Sequence, residues 1–501
     1  MPTIKVPPVL RPQTDGEAEV SVEGGTVGDA LRALAERYPS TGDQLFSPEG
    51  ELNRYVNVYL NDEDVRVLDG LETGTTNSDI VVILPAMAGG CTRRLSGGAA
   101  QEWVRRRSIP SPQLPDLHRF GVGMRRFLIT SGVCVALALV SAATAGANTT
   151  KAIWGPSTLG ANNAACPTPD PCSAFPIYRE LGVDVYQFQL RFNQIAPTPP
   201  ANPRNPNDPA YKWPASADTI VREAAANGIR PAAMIELSPP WANGGRSLVW
   251  APNPATFANF AYAASRRYPS IKLWLVWGEP MLGFNFQPMP RRSKLGPRTY
   301  GKILDKTYVA LKQASPQNRV AGGSTVTHTL AGLRASPTTF IKWMRLKNGR
   351  MPRMDLLSHN PYEARFPRIK AGPFYPGFGG LSDIDTLHQD LLKIYGKRGK
   401  KKRKGAKAAA AGKRVKVPRL WLSEYLVVSD QIQFGGPLVT RAEQPRWLSA
   451  AYGIAGSQKY VAGMGWFTLL DEPEGPGSVN WGLMQADGVR KPSFFAYSAV
   501  P

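Results

Sequence analysis

The chain has 501 residues, of which 60 are Lys or Arg and 38 are Asp or Glu, giving a formal net charge of +22. With 43% hydrophobic and 20% charged residues it can bury a core, which excludes a disordered polyelectrolyte, and its length calls for two or more domains. Four cysteines without zinc spacing and four histidines scattered singly exclude a disulfide scaffold and a histidine-rich metal site, so no metal or cofactor is expected.

Charge divides the chain. Residues 1–90 carry six basic and fifteen acidic side chains, a net −9, which leaves +31 for the rest. Such asymmetry marks separate units. Ile4 to Leu10 alternates as a strand does. Thr26 is placed to cap a helix over Leu31, Leu34 and Ala35, with Asp29 near its positive end, and Tyr38-Pro39 stops it. Tyr55–Leu60 and Asp79–Pro85 read as further strands, with Asn61-Asp62 as a turn. Strand, helix, strand and strand in so short a span suit a ubiquitin-like β-grasp roll. The segment then ends Ala86-Met87-Ala88-Gly89-Gly90.

With that tail, residues 1–90 resemble the ThiS/MoaD sulfur-carrier family, in particular its CysO-like branch. The resemblance implies that the terminal Gly carboxylate is adenylated and becomes a thiocarboxylate. Gly89 and Gly90 suit this because a tail without side chains threads a narrow channel. Here Gly90 is followed by Cys91 and 410 more residues. A thiocarboxylate needs a free C-terminus, so sulfur-transfer enzymes are expected as partners only if the chain is cut after Gly90. Cys91 reads as incidental.

Residues 91–123 hold Arg93, Arg94, Arg105-Arg106-Arg107 and several prolines with little apolar periodicity, the pattern of a linker. Residues 124–147 then combine Met124-Arg125-Arg126, an uncharged run from Phe127 to Val140, and small residues at Ala143, Ala145 and Ala147. Basic, apolar and small-x-small regions in that order make a secretory signal peptide, and the apolar run is too short to span a membrane. Export signals are read at an N-terminus. The favoured expectation is therefore that translation of the exported protein starts at Met124, the first 123 residues being joined by a reading-frame error. A real fusion, with the segment as an internal anchor, is the alternative. On this reading 124–501 is secreted or held at the cell surface, and 1–90, if expressed separately, is cytoplasmic.

Residues 148–501 contain apolar β-rich runs at Ala152–Gly155, Val183–Leu190, Ile229–Leu237, Ile271–Trp277, Arg319–Ser324, Met354–His359, Arg419–Ser423 and Val461–Leu469. Helical patterns separate most of them, among them Ser216–Asn227 stopped by Gly228, Phe257–Arg267 and Tyr300–Ala314. Strands alternating with helices imply parallel units, and eight imply an α/β fold, a (β/α)8 TIM barrel. An open doubly wound sheet is disfavoured because no Gly-rich phosphate loop follows the first strand. Chemistry in such barrels sits at the C-terminal strand ends. Glu279 ends the fourth strand in Trp277-Gly278-Glu279-Pro280, and Glu424 ends the seventh in Leu422-Ser423-Glu424-Tyr425. An unpaired buried charge costs several kcal/mol, so two such glutamates are not there for packing.

These residues resemble the clan A retaining glycoside hydrolases, over most of 150–500. The resemblance implies that Glu279 is the acid/base and Glu424 the nucleophile of a double displacement on a carbohydrate. It extends to Arg191, the Pro239–Gly245 loop with Trp241 and Asn243, His359-Asn360-Pro361-Tyr362, and Trp466. Trp241, Trp277, Tyr362, Tyr425 and Trp466 are candidate sugar platforms. Asn243, His359 and Asn360 are candidates to bind hydroxyls, and Arg191 to orient the nucleophile. Gly278 departs from the family, whose Asn there contacts the sugar; Asn243 is a candidate replacement. The departure leaves open a weak or inactive carbohydrate-binding barrel beside the sulfur carrier.

Cys166 and Cys172 remain after signal removal, and in an oxidising compartment they are expected to close a small disulfide loop. Residues 397–416 carry eleven Lys or Arg and no acid. The plain reading is a solvated helix-to-strand loop on the face away from the site, with adhesion to an anionic polymer next and no specific nucleic acid expected.

Overall fold

The computed structural model describes residues 1–85 apart from 7–9, 11–12, 47–51, 53–55, 62 and 66–67, and residues 149–501 apart from 156–172, 291–292, 328–335, 374–376, 397–416, 431–438 and 473–478. Gly89, Gly90, Cys91, the segments 91–123 and 124–147, Cys166, Cys172 and the basic run 397–416 lie outside the described residues.

The N-terminal part runs β1 (Thr3–Lys5), β2 (Glu19–Ser21), α1 (Val27–Arg37), α2 (Pro39–Leu45), β3 (Val56–Leu60), β4 (Glu63–Asp64) and β5 (Ile80–Pro85). Its sheet has the order β2-β1-β5-β3-β4, with β1 parallel to β5 and the other pairs antiparallel. Helix α1 starts where it does because Thr26 and Asp29 cap it reciprocally: Asp29 N–H donates to Thr26 Oγ1, and Thr26 N–H to Asp29 Oδ2, both at 3.1 Å. One face of α1 buries Ala30, Leu31 and Leu34 against Ile4, Val20, Val58, Val81 and Ile83. This is the β-grasp. Strands β2 and β4 are absent from the sequence reading, since two or three residues carry no legible periodicity.

The C-terminal part runs β6 (Thr150–Trp154), α3 (Phe175–Glu180), β7 (Val185–Arg191), α4 (Phe192–Ile195), α5 (Ala215–Ala226), β8 (Arg230–Glu236), α6 (Pro240–Asn243), α7 (Pro254–Arg267), β9 (Leu273–Val276) and α8 (Leu295–Ala314). It continues with β10 (Arg319–Val326), α9 (Pro337–Trp343), β11 (Leu356–Asn360), α10 (Ile384–Gly396), β12 (Arg419–Tyr425), α11 (Gln444–Ser457), β13 (Val461–Phe467) and α12 (Pro492–Ser498). Among the described residues the eight strands β6–β13 pair in parallel, and β13 returns to β6 to close a (β/α)8 barrel. The helix predicted at Ser216–Asn227 is α5, and Gly228 leaves it at φ +71°, the left-handed turn that favours glycine.

Apolar side chains from the strands fill the barrel: Trp154, Met234, Leu275, Ala321 and Trp421 belong to this inner layer. Trp421 fits because Gly463 on the neighbouring strand has no side chain; a Cβ there would lie 2.2 Å from the indole ring. The outer layer joins the strands to the helices through residues such as Phe188, Ile235, Trp274, Leu304 and Leu448. Fully burying each of these contributes about 1.5–3 kcal/mol.

Candidate active site

The fourth barrel strand is shorter than its sequence pattern. It ends at Val276, and Trp277 and Glu279 take φ +67° and +43°. Left-handed backbone at two bulky residues stores strain that the surroundings must hold. Trp277 supplies part of the hold. Its N–H donates to Ile235 O at 2.9 Å, its indole Nε1 donates to Asn285 O at 2.8 Å, and its ring packs edge-on against Phe286. Buried Tyr300 donates its hydroxyl to Val276 O at 2.8 Å and accepts Gly323 N–H at 2.9 Å, pinning the strand end to β10.

Glu279 and Glu424 both retain a partly open face at the C-terminal end of the barrel. Asn360, last in β11, donates its amide to Glu279 Oε1 at 2.8 Å, while Asn285 Nδ2 stands 3.4 Å from Oε2. The Asn360 amide is itself aimed, because its Oδ1 accepts the Ser423 hydroxyl at 2.7 Å. Ser423 stands 2.7 Å from Ser358 Oγ, and its carbonyl accepts Gln187 Nε2 at 2.8 Å; Gln187 Oε1 in turn accepts the Trp421 indole N–H at 2.8 Å. A buried polar layer thus stands on the apolar filling of the barrel and carries Glu279 on its upper side. On the other side, Tyr362 donates its hydroxyl to Glu424 Oε1.

Burial pushes both carboxyls well above the ordinary glutamate range. For Glu424 the charge of Glu279 adds to this and the Tyr362 hydrogen bond opposes it. For Glu279 the Asn360 hydrogen bond opposes it and the charge of Glu236 adds. Because the charge of Glu279 raises Glu424, the two do not ionise independently. An acid and a nucleophile can be drawn from such a pair, since one carboxyl keeps its proton while the other is ionised.

Other predicted residues sit elsewhere than expected. His359 is fully buried with both ring nitrogens engaged. Nε2 donates to Gly379 O at 2.7 Å, which leaves Nδ1 to accept from Thr325 Oγ1 at 2.9 Å. Burial lowers its pKa to about 4, so it is a neutral structural residue and not a hydroxyl ligand. Asn243 folds its own loop: Oδ1 accepts Arg246 N–H and Nδ2 donates to Ser247 O, both at 2.8 Å, so it does not replace the missing side chain at 278. Trp277, Tyr425 and Trp466 are fully buried core rather than open platforms; Trp466 donates Nε1 to Trp481 O at 3.2 Å, and Tyr425 packs on its ring. Trp241 remains half-buried, tied by Nε1 to Ala196 O at 2.8 Å and set edge-on to Phe192. Arg191 donates to Gln189 Oε1 at 3.1 Å, and its charge acts on Glu236 rather than on Glu424.

Glu236 went unread in the sequence, although it ends an apolar strand just as Glu279 and Glu424 do. Asn285, Ser423 and Gln187 were also missed. Nothing in their local sequence distinguishes them from ordinary polar residues. Among the described residues no group of three or more His, Cys, Asp and Glu side chains is arranged to hold a metal ion.

The ThiS family model matches residues 4–90. The sulfur carrier protein CysO of Mycobacterium tuberculosis is 44% identical over 90 residues, which are 18% of this chain and 97% of the carrier. Through those residues the chain belongs to the ThiS family. The barrel is similar to solved structures at low identity. A family 39 glycoside hydrolase from the gut symbiont Bacteroides cellulosilyticus WH2 matches at TM-score 0.48 and 16% identity, over 70% of this chain and 63% of that one. A family 39 β-xylosidase from Caulobacter crescentus matches at 0.45 and 17%, over 70% and 71%. The ThiS match runs to residue 90, and 411 residues follow it.

Proposed function

We propose that residues 148–501 form a retaining glycoside hydrolase in which Glu279 is the general acid/base and Glu424 the nucleophile. The observation that carries this reading is the pair itself. Two carboxyls from the ends of β9 and β12 repel each other in a buried setting, and each is held by a neutral donor, Asn360 for one and Tyr362 for the other. A glycosidic oxygen leaves poorly unless protonated, and Glu279 supplies that proton. Glu424 attacks the anomeric carbon, and the resulting ester removes its charge. Glu279 then gives up its proton more readily and serves as base for the incoming water. A carbohydrate is the expected substrate, with Trp241 as the candidate platform that keeps an open face. Screening the full chain and its Glu279 and Glu424 variants against aryl glycosides and polysaccharides tests the reading; wild-type-like turnover in Glu424→Ala would overturn it.

The ThiS membership favours a second role for residues 1–90, as a sulfur carrier that works with sulfur-transfer enzymes once the chain is cut after Gly90. Mass spectrometry of the N-terminal fragment from cells would show a terminus at Gly90, bearing a thiocarboxylate in part. The sequence of 124–147 supports export of the barrel. Protein recovered from the medium should begin near Gly146 or Asn148, and an intact Met1 on it opposes export through this signal.

A further inference from the structure

Glu236 is the last residue of β8 and stands in register with Arg191, the last of β7. It is 9% exposed, and its carboxylate lies against the backbone at Gly278. A Cβ built on residue 278 would lie 2.8 Å from Glu236 Oε2 and 3.1 Å from Met234 Sδ. Real Cβ atoms do not approach an oxygen so closely. The carboxylate therefore occupies the space that any side chain at 278 would take, and the glycine between Trp277 and Glu279 is what admits it.

We propose that Glu236 is a positioning residue of this site: a fixed anion, seated in the space left by Gly278 and balanced by Arg191, whose field bears on Glu279 and holds that carboxyl in its acid form until it donates. The proposal rests on the acid/base role given to Glu279.

Burial raises the pKa of Glu236, and the Arg191 guanidinium and the Gly278 backbone oppose that rise by favouring the anion. Glu279 is raised first by burial, and Glu236 contributes in the same direction. The remaining groups around Glu279 are accounted for. Asn360 and Asn285 are neutral donors. Tyr362 keeps its proton, since burial and the charges of Glu424 and Glu279 push it far up. Glu424 is the carboxyl that feels the charge of Glu279, and whatever charge it carries vanishes when it is esterified. Glu236 takes part in no bond change, so its charge persists through the cycle. It sets the baseline acidity of Glu279, and Glu424 supplies the swing.

The test uses the full-length chain labelled with ¹³C at the glutamate side-chain carboxyls. The Glu279 resonance is identified by its loss in Glu279→Gln. In Glu236→Gln the Glu279 midpoint should fall by about one unit, the effect of removing one like charge at close range. The basic limb of the kcat/KM profile on an aryl glycoside should fall with it. Glu236→Asp should keep most of the wild-type midpoint. Gly278→Ala, whose Cβ displaces the carboxylate, should move the midpoint the same way as Glu236→Gln, and it stands as the independent variant should Glu236→Gln fail to fold. An unmoved Glu279 midpoint in either folded variant overturns the proposal. A shifted midpoint in a chain without glycosidase turnover overturns the acid/base reading and upholds the pairing of Glu236 with Glu279.

Discussion

Tyr362 donates its hydroxyl to the very carboxylate, Glu424, that lies across the barrel mouth from Glu279. The bond favours the ionised form of Glu424 and works against burial and against the charge of Glu279. On the proposed mechanism Glu424 must be ionised to attack, so the phenol would keep the nucleophile available at lower pH. Tyr362→Phe should raise the Glu424 pKa and move the acid limb of kcat/KM to higher pH. A hydrogen bond to a charged group contributes about 1.5–3 kcal/mol, so a loss of about 10–100-fold is expected near the optimum. A pH–rate profile of the variant measures both.

The roles within the glutamate pair separate by azide chemistry. Glu424→Ala should lose turnover, and azide should restore it with the glycosyl azide inverted, because azide attacks from the face the carboxylate used. Glu279→Ala should lose about 10²–10⁴-fold on poor leaving groups, yet still form the glycosyl-enzyme from a dinitrophenyl glycoside, which needs no proton. Azide should then give the retained product. Product NMR reads the stereochemistry, and the opposite pattern would exchange the two roles.

The same carboxyls should cost stability at neutral pH. Their pKa values are raised by folding, so the folded state favours the protonated form. Below the ordinary glutamate value of about 4.3 both states are protonated and no penalty arises; as pH rises past it, the unfolded chain ionises freely while the folded one resists, and stability falls. Glu424→Gln should therefore stabilise the fold by about 1–2 kcal/mol at pH 7–8 and by little at pH 4, a difference that calorimetry at the two pH values resolves.

Lys491 and Asp471 form a fully buried ion pair, Nζ to Oδ1 at 2.9 Å, and Asp471 Oδ1 also accepts Gly482 N–H at 2.7 Å. The pair ties the start of α12 to the segment that follows β13. Lys491→Met leaves a buried carboxylate without its cation and should cost about 3–5 kcal/mol, whereas Lys491→Met combined with Asp471→Leu should recover most of that. Denaturant melts of the single and double variants decide it.

The eight barrel strands were readable because parallel strands buried on both faces form apolar runs, and the runs recur with helical material between them. Glu279 and Glu424 stand out in the sequence because a charge at the end of such a run has no packing reason to be there. Glu236 carried the same signal and was passed over, since without the fold nothing joins it to Gly278. The errors on His359 and Asn243 have one cause. The sequence shows that a side chain can donate a hydrogen bond, but not that Gly379 and Ser247 have already taken it. Likewise an aromatic residue on a strand reads the same whether its face is open, as Trp241's partly is, or sealed, as Trp466's is.

The polar layer has a consequence for how the site is assembled. Its hydrogen bonds run from Gln187 on β7 to Ser423 on β12, then to Asn360 on β11, and from there to Glu279 beyond β9. None of these links follows the ladder between neighbouring strands, except the one from β12 to β11. They are chords across a circle. The first four strands supply Gln187, Glu236 and Glu279, and the last four supply Asn360, Ser423 and Glu424. Glu424 takes its donor, Tyr362, from its own half, but Glu279 takes Asn360 from the other, so the aim of Glu279 exists only once the ring has closed.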